Sequence, residues 1–213
     1  MKKLGVLGGT FNPVHYGHLR TAIEVFEHFE MDNLLFIPTY IPPHKMRKDI
    51  VAPELRLKML ELAIKDFPYF KVDDMEITRK EISYSIDTVR ALKEKNDARI
   101  YFILGADAFC ELRTWNNYKE LLFLCDFVVM TRPTAPEVDI KKIFPPEIFK
   151  RFRYDKIRNV YESDTGTNIF YIDVTPLDIS STNIRKLIRE GKSIKYLLPK
   201  DVEEYILSNG LYK

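Results

Sequence analysis

Short apolar runs alternate along the chain with stretches of helical period. Residues 4–7 read as a buried strand, and Leu19, Ala22, Ile23 and Phe26 then recur at helical spacing. Residues 34–37 form a second apolar run, stopped by Pro38. Pro53 stands where a helix can begin, and Leu55, Met59, Leu62, Ala63 and Asp66 continue its period. Residues 70–77 read as extended. Residues 86–95 read as a helix with Ser85 as N-cap and Val89, Ala91 and Leu92 on its inner face. The runs 100–104, 127–130 and 169–172 are continuously apolar, as central parallel strands covered on both faces should be. Two last helices are expected over about 182–190, ended by Gly191, and 200–208, ended by Asn209-Gly210.

This rhythm predicts an α/β fold: a doubly wound, Rossmann-like parallel sheet flanked by helices, with a C-terminal helical segment. Ligands in such sheets bind beyond the carboxyl ends of the strands, so the loops there carry the candidate chemistry.

Composition narrows the function classes. The chain has 213 residues, 46% hydrophobic and 30% charged, which excludes a disordered chain. A chain of this length buries about 70% of its unfolded surface and needs no disulfide or metal to fold. It is read as one domain over 1–213, with 173–213 as a C-terminal subregion. Lys plus Arg is 33 and Asp plus Glu 31, a net charge of +2, unlike a dedicated polyanion binder. Cys110 and Cys125 form no C-x-x-C pair, which suits a reducing compartment. The most apolar stretch, 121–131, is interrupted by Asp126 and is shorter than the roughly 20 residues of a membrane span. These features predict a cytoplasmic protein. One anomaly is 140–159, with Lys141, Lys142, Lys150, Arg151, Arg153, Lys156 and Arg158 against Glu147 and Asp155. It reads first as a solvated helical face, with nucleic-acid binding as the alternative.

After the first strand the chain runs Gly8-Gly9-Thr10-Phe11-Asn12-Pro13-Val14-His15-Tyr16-Gly17-His18. Adjacent glycines let backbone N–H groups approach an anion, and the positive end of the next helix points to the same place. His15 and His18 bracket Gly17 at that helix start, where a protonated histidine opposes the dipole unless an anion is bound. A tight glycine turn with two satisfied histidines would give the same letters, and so would a zinc pair, though no further Cys or His cluster completes it. The loop is neither a G-x-G-x-x-G fingerprint nor a Walker loop. Further on, Ile179-Ser180-Ser181-Thr182-Asn183-Ile184-Arg185 begins a helix capped by Ser180 or Ser181. Arg185 near that start is unfavourable without an anion, or is an exposed arginine after an ordinary serine cap.

The string from Gly8 to His18 resembles the signature of the nucleotidyltransferases with an H-x-G-H motif. The segment 179–185 resembles their I-S-S-T-x-I-R motif. Residues 38–45, 83–88, 105–107 with Leu112, Trp115 and Asn116, and 128–133 are similar, in order and spacing, to the bacterial nicotinate-nucleotide adenylyltransferases. The likeness spans about 3–212 and includes the closing Asn209-Gly210-Leu211-Tyr212. Asn12 stands where many relatives carry Asp, Ser85 where Thr is common, and 134–167 match weakly. Class I aminoacyl-tRNA synthetases share the histidine pattern, but Lys45-Met46-Arg47-Lys48 is not their K-M-S-K-S loop.

The resemblance implies transfer of AMP from ATP to nicotinate mononucleotide. The ATP site would comprise Gly8, Gly9, Thr10, Phe11, His15, His18, Gly105, Asp107, Ser180, Ser181 and Arg185. His18, His15, Arg185 and Lys45 would serve catalysis, with Mg²⁺ carried on ATP phosphate oxygens and no tightly bound cofactor. Ser85, Ile86, Trp115, Asn116 and Arg132 would receive the mononucleotide. Asp107 would accept ribose hydroxyls or cap its helix; Trp115 would stack on the pyridine ring or pack in the core. Lys45 and Arg132 also read as solvated surface residues. A nicotinamide-preferring enzyme, another H-x-G-H nucleotidyltransferase and a non-enzymatic nucleotide- or RNA-binding module are the alternatives. The partners implied are ATP and the mononucleotide, without nucleic acid or membrane. Relatives often dimerise, so a homodimer is admissible, although no surface stripe marks an interface.

Overall fold

The computed structural model describes residues 1–43, 50–131 and 138–213. Strands β1 (Lys2–Gly9), β2 (Asn33–Pro38), β3 (Phe70–Val72), β4 (Ala98–Gly105), β5 (Asp126–Thr131), β6 (Phe152–Asp155), β7 (Val160–Ser163) and β8 (Asn168–Asp173) form one sheet. Its order is β3-β2-β1-β4-β5-β8-β7-β6. The stretch from β3 to β8 is parallel throughout. β7 and β6 then extend that edge antiparallel. The doubly wound parallel arrangement expected from the sequence is therefore present, widened by a hairpin that the sequence did not announce.

Residue parity along the central strands makes two cores. Val6, Phe102, Leu104, Phe127 and Val129 face one side. There they meet α4 (Ser85–Lys95), α5 (Ala106–Cys110), α6 (Tyr118–Leu122), α7 (Ile140–Ile143) and α8 (Pro146–Phe149). Leu7, Tyr101, Ile103 and Val128 face the other. They meet α1 (Tyr16–His28), α2 (Pro53–Ile64), α9 (Ser181–Arg189) and α10 (Lys200–Ser208). Burying each large aliphatic or aromatic side chain is worth about 1.5–3 kcal/mol, so this double coverage fixes the strands' register.

Several boundaries differ from expectation for local reasons. The segment 70–77 is extended only through Val72. Asp73 Oδ1 then accepts the Met75 N–H at 2.9 Å, and the chain turns into α3 (Met75–Arg79). Helix α2 stops at Ile64, short of Asp66. Tyr84, not Ser85, is the N-cap of α4, and Ser85 is its first helical residue. The basic stretch 140–159 is not one helical face. It comprises α7 and α8, whose Ile140, Ile143 and Ile148 are buried, and then β6, with the exposed Ile157 in the turn towards β7. Among the described residues no helix is long and apolar enough to cross a membrane.

Candidate active site

The sheet's winding reverses between β1 and β4: β2 and β3 lie to one side, β5 and β8 to the other. A cleft of about 590 Å³ opens there, at the carboxyl ends of the strands. Gly8 and Gly9 end β1 and Thr10 follows it, Ile37 lies at the end of β2 with Thr39 beyond it, Gly105 ends β4 and Met130 lies at the end of β5. His18, Glu76, Ser83, Tyr84, Ser85, Thr88, Trp115 and Asn116 complete much of the wall. A Cβ added to Gly8 would meet no atom within 4 Å, so this glycine leaves empty cleft where any side chain would intrude.

The spacing of the two histidines has a local cause. His15 is the extended N-cap residue of α1, with φ −151° and ψ 170°, and His18 is the third helical residue. The His15 N–H donates to His18 Nδ1 at 3.2 Å, so histidine takes the part that a glutamate usually plays in a capping box. The rings stack with centroids 3.8 Å apart. Gly17 is required by that packing: a Cβ there would fall 2.9 Å from His15 Nδ1 and 3.0 Å from His15 Cε1. Because Nδ1 of His18 accepts, its proton resides on Nε2, a donor on a ring that lines the cleft. Burial lowers the His15 pKa to about 4. Burial and then the neighbouring His15 hold His18 well below the ordinary histidine value. Both rings are neutral at pH 7, which removes the dipole conflict expected from the sequence.

The second segment lies against the first. Ser180 caps α9 by accepting the Asn183 N–H at 3.2 Å, and Ser181 Oγ donates to the Pro13 carbonyl at 2.7 Å. Arg185 is buried and donates from Nη1 to the Asn12 carbonyl at 2.8 Å. Ser181 and Arg185 thus brace the loop while Ser180 caps its own helix, and none of the three is among the residues lining the cleft. The same holds for His15, the N-cap under the loop, and for Phe11, buried with its ring edge-on to His18. Tyr212 adds a brace that sequence reasoning left without a role: its hydroxyl donates to Asn12 Oδ1 at 2.9 Å.

On the opposite wall, Ser85, Trp115 and Asn116 line the cleft together, and the Trp115 ring stands edge-on to Phe102. Ile86 turns into the core beneath them. Asp107 is exposed in the first turn of α5, whose cap is Gly105, so it is not the cap. Glu76, Ser83 and Thr88 were not foreseen. Thr88 Oγ1 donates to Glu76 Oε1 at 2.5 Å, linking α4 to α3, and burial raises the Glu76 pKa. Arg56 was also missed, although a charge among the buried Met59, Leu60 and Ile64 of one helix was a signal. Lys45 and Arg132 lie outside the described residues.

One wall therefore offers a glycine-rich turn and a neutral Nε2–H donor to phosphate oxygens. The other offers an indole face beside a helix start, suited to a flat ring bearing an anion.

The chain is similar to known proteins along almost its whole length. Residues 6–187 match the model of the cytidylyltransferase-like family. A protein of Geobacter sp. (strain M21), described as a probable nicotinate-nucleotide adenylyltransferase, is 42% identical over 99% of this chain and 98% of its own. Its counterpart in Geobacter sulfurreducens is 43% identical with the same coverage. Among solved structures, the Plasmodium falciparum nicotinic acid mononucleotide adenylyltransferase complexed with NaAD superposes with a TM-score of 0.76 at 19% identity. That match covers 100% of this chain and 98% of the other, and it speaks for the fold alone.

Proposed function

The chain belongs to the cytidylyltransferase-like family and, within it, to the nicotinate-nucleotide adenylyltransferases, and on that premise we propose how its cleft carries out the reaction. ATP and nicotinate mononucleotide give nicotinate adenine dinucleotide and pyrophosphate. The mononucleotide's phosphate attacks the α-phosphorus of ATP; a new P–O bond forms as the bond to the β-phosphate oxygen breaks. The attacking monoester has a second pKa near ~6 and is already ionised at pH 7, so no general base is needed. Catalysis rests on alignment and on stabilising charge that develops on the departing pyrophosphate.

The observation that carries this assignment is the facing of His18 and Gly8–Thr10 against Trp115, Ser85 and Asn116 across one cleft. His18 donates its Nε2–H to phosphate oxygens. Mg²⁺ would come with ATP and offset phosphate charge; the donors around the loop are N–H groups, which suit phosphate rather than a cation. His15, Phe11, Ser181 and Arg185 act from behind by fixing the loop, Ser180 caps the helix that carries Ser181 and Arg185, and 173–213 is the subregion that clamps it. Lys45 and Arg132 would bring positive charge to the two substrates' phosphates, Gly105 leaves room for the adenosine, and Asp107 would meet its ribose. The nicotinate ring stacks on Trp115, and its carboxylate meets the first turn of α4 near Ser85 and Ile86. A carboxylate gains more than an amide at a helix start, which favours nicotinate over nicotinamide. A cytoplasmic location suits these substrates and this family.

Trp115 is the sole tryptophan, so its fluorescence reports on the mononucleotide wall alone. Nicotinate mononucleotide should quench it more strongly than nicotinamide mononucleotide at equal concentration. Equal responses would remove the proposed selectivity, and no response to either would remove Trp115 from the site.

A further inference from the structure

Among the described residues Arg56 is the largest fully buried side chain, with 0% of its surface exposed. Its guanidinium forms no ion pair with a carboxylate among the described residues; it is spent entirely on backbone carbonyls. Nη1 donates to Thr10 O at 2.8 Å. Nη2 donates to Thr39 O at 2.6 Å and to Tyr40 O at 3.3 Å. Nε donates to Val51 O at 3.1 Å. Burying a full charge is costly, and a simple cross-link between loops could be made by apolar contacts at less cost. What the guanidinium alone supplies is a rigid planar fork that reaches several acceptors at fixed angles.

Those acceptors belong to the two halves of the cleft. Thr10 ends the glycine-rich loop on the nucleotide side. Thr39 and Tyr40 follow β2, and the Tyr40 N–H donates to Ser83 Oγ at 2.9 Å, on the wall that carries Tyr84 and Ser85. Val51, whose carbonyl Arg56 holds, donates its own N–H to Asn12 Oδ1 at 3.2 Å and so returns to the first loop. One side chain thus spans from the phosphate loop to the mononucleotide wall.

We propose that Arg56 is a positioning residue for adenylyl transfer, holding the ATP subsite and the mononucleotide subsite in register. The proposal rests on the substrate assignment above. In-line attack needs the phosphate oxygen and the α-phosphorus near 3–3.5 Å, and a misplacement of about 1 Å can cost about 10²-fold in rate. Its positive charge, close behind the loop, also favours phosphate through a medium of low dielectric.

The test is R56K, which keeps the charge and loses the fork, compared with the wild type for three ligands. ATP and nicotinate mononucleotide each occupy one subsite; nicotinate adenine dinucleotide occupies both. Loss of register should leave the first two affinities within about threefold, weaken the dinucleotide by about tenfold or more, and lower kcat by about 10²-fold. Equal weakening of all three ligands, or an unchanged dinucleotide affinity, would overturn the proposal. So would a lowered Tm with unchanged kcat per folded molecule. Should R56K fail to unfold cooperatively, S83A removes the acceptor at the far end of the same chain of contacts and must show the same pattern. Absence of dinucleotide binding by the wild type would count instead against the substrate assignment.

Discussion

The imidazole of His15 lies on that of His18 with ring centroids 3.8 Å apart, and the backbone N–H of the first donates to Nδ1 of the second. This pairing sets a tautomer, caps the start of a helix and places an uncharged donor in the cleft. It also makes the ligand-free protein sensitive to acid.

That sensitivity has a definite sign. The folded pKa of His15 is lowered to about 4 from an ordinary 6.5, and that of His18 is lowered as well. Between those limits the unfolded chain binds more protons than the folded one. Stability of the ligand-free protein therefore falls as pH drops from 6.5 towards 4, and is unaffected by this pair above 6.5. Thermal unfolding across pH 4–8 reads this directly, and H15Q should flatten the acid limb. Phosphate bound at His18 favours the protonated ring and raises its pKa, so ATP binding in mildly acidic solution should take up protons. Calorimetry in two buffers of different ionisation enthalpy would detect the uptake; a buffer-independent heat would contradict it.

The loop glycines should separate space from packing. Gly8 faces empty cleft, whereas a Cβ on Gly17 would strike the His15 ring at 2.9 Å. G8A should change stability by no more than about 0.5 kcal/mol and raise the KM for ATP. G17A should cost about 1–3 kcal/mol by overpacking and lower kcat as the histidine stack shifts. Equal effects on stability would mean that the two glycines do not differ in this way.

Tyr212 tests whether bracing from the C-terminal region matters to the nucleotide. Burial pushes its phenol upward, so the hydroxyl remains a donor to Asn12 Oδ1 throughout the working range of pH. Y212F removes one hydrogen bond and should cost about 1 kcal/mol. The KM for ATP should rise while that for the mononucleotide stays unchanged. A change confined to the mononucleotide would place the brace on the wrong subsite.

The parallel core was readable because strands buried on both faces leave continuous apolar runs, as at 100–104 and 127–130. β6 and β7 were not, because Phe152–Asp155 and Val160–Ser163 mix charged and apolar residues as edge strands do, and their pairing depends on β8. α3 escaped because a single aspartate turn ends the extended run. Within the site, Gly8, His18, Ser85, Trp115 and Asn116 were found through motifs and do meet at one cleft. Motif letters did not tell how each residue is held: Arg185 is buried, and its Nη1 donates to the Asn12 carbonyl of the first loop. Arg56 escaped entirely, since the carbonyls it holds at Thr10 and Thr39 are 46 and 17 residues away and carry no side-chain signature.

Pyrophosphate release from ATP tests the account most directly, measured with nicotinate mononucleotide and with nicotinamide mononucleotide for the wild type and H18A. Release by the wild type should be faster with nicotinate, and kcat should fall about 10²–10³-fold in a folded H18A variant that has lost its Nε2–H donor. No release with either mononucleotide, or near-wild-type turnover by H18A, would contradict it.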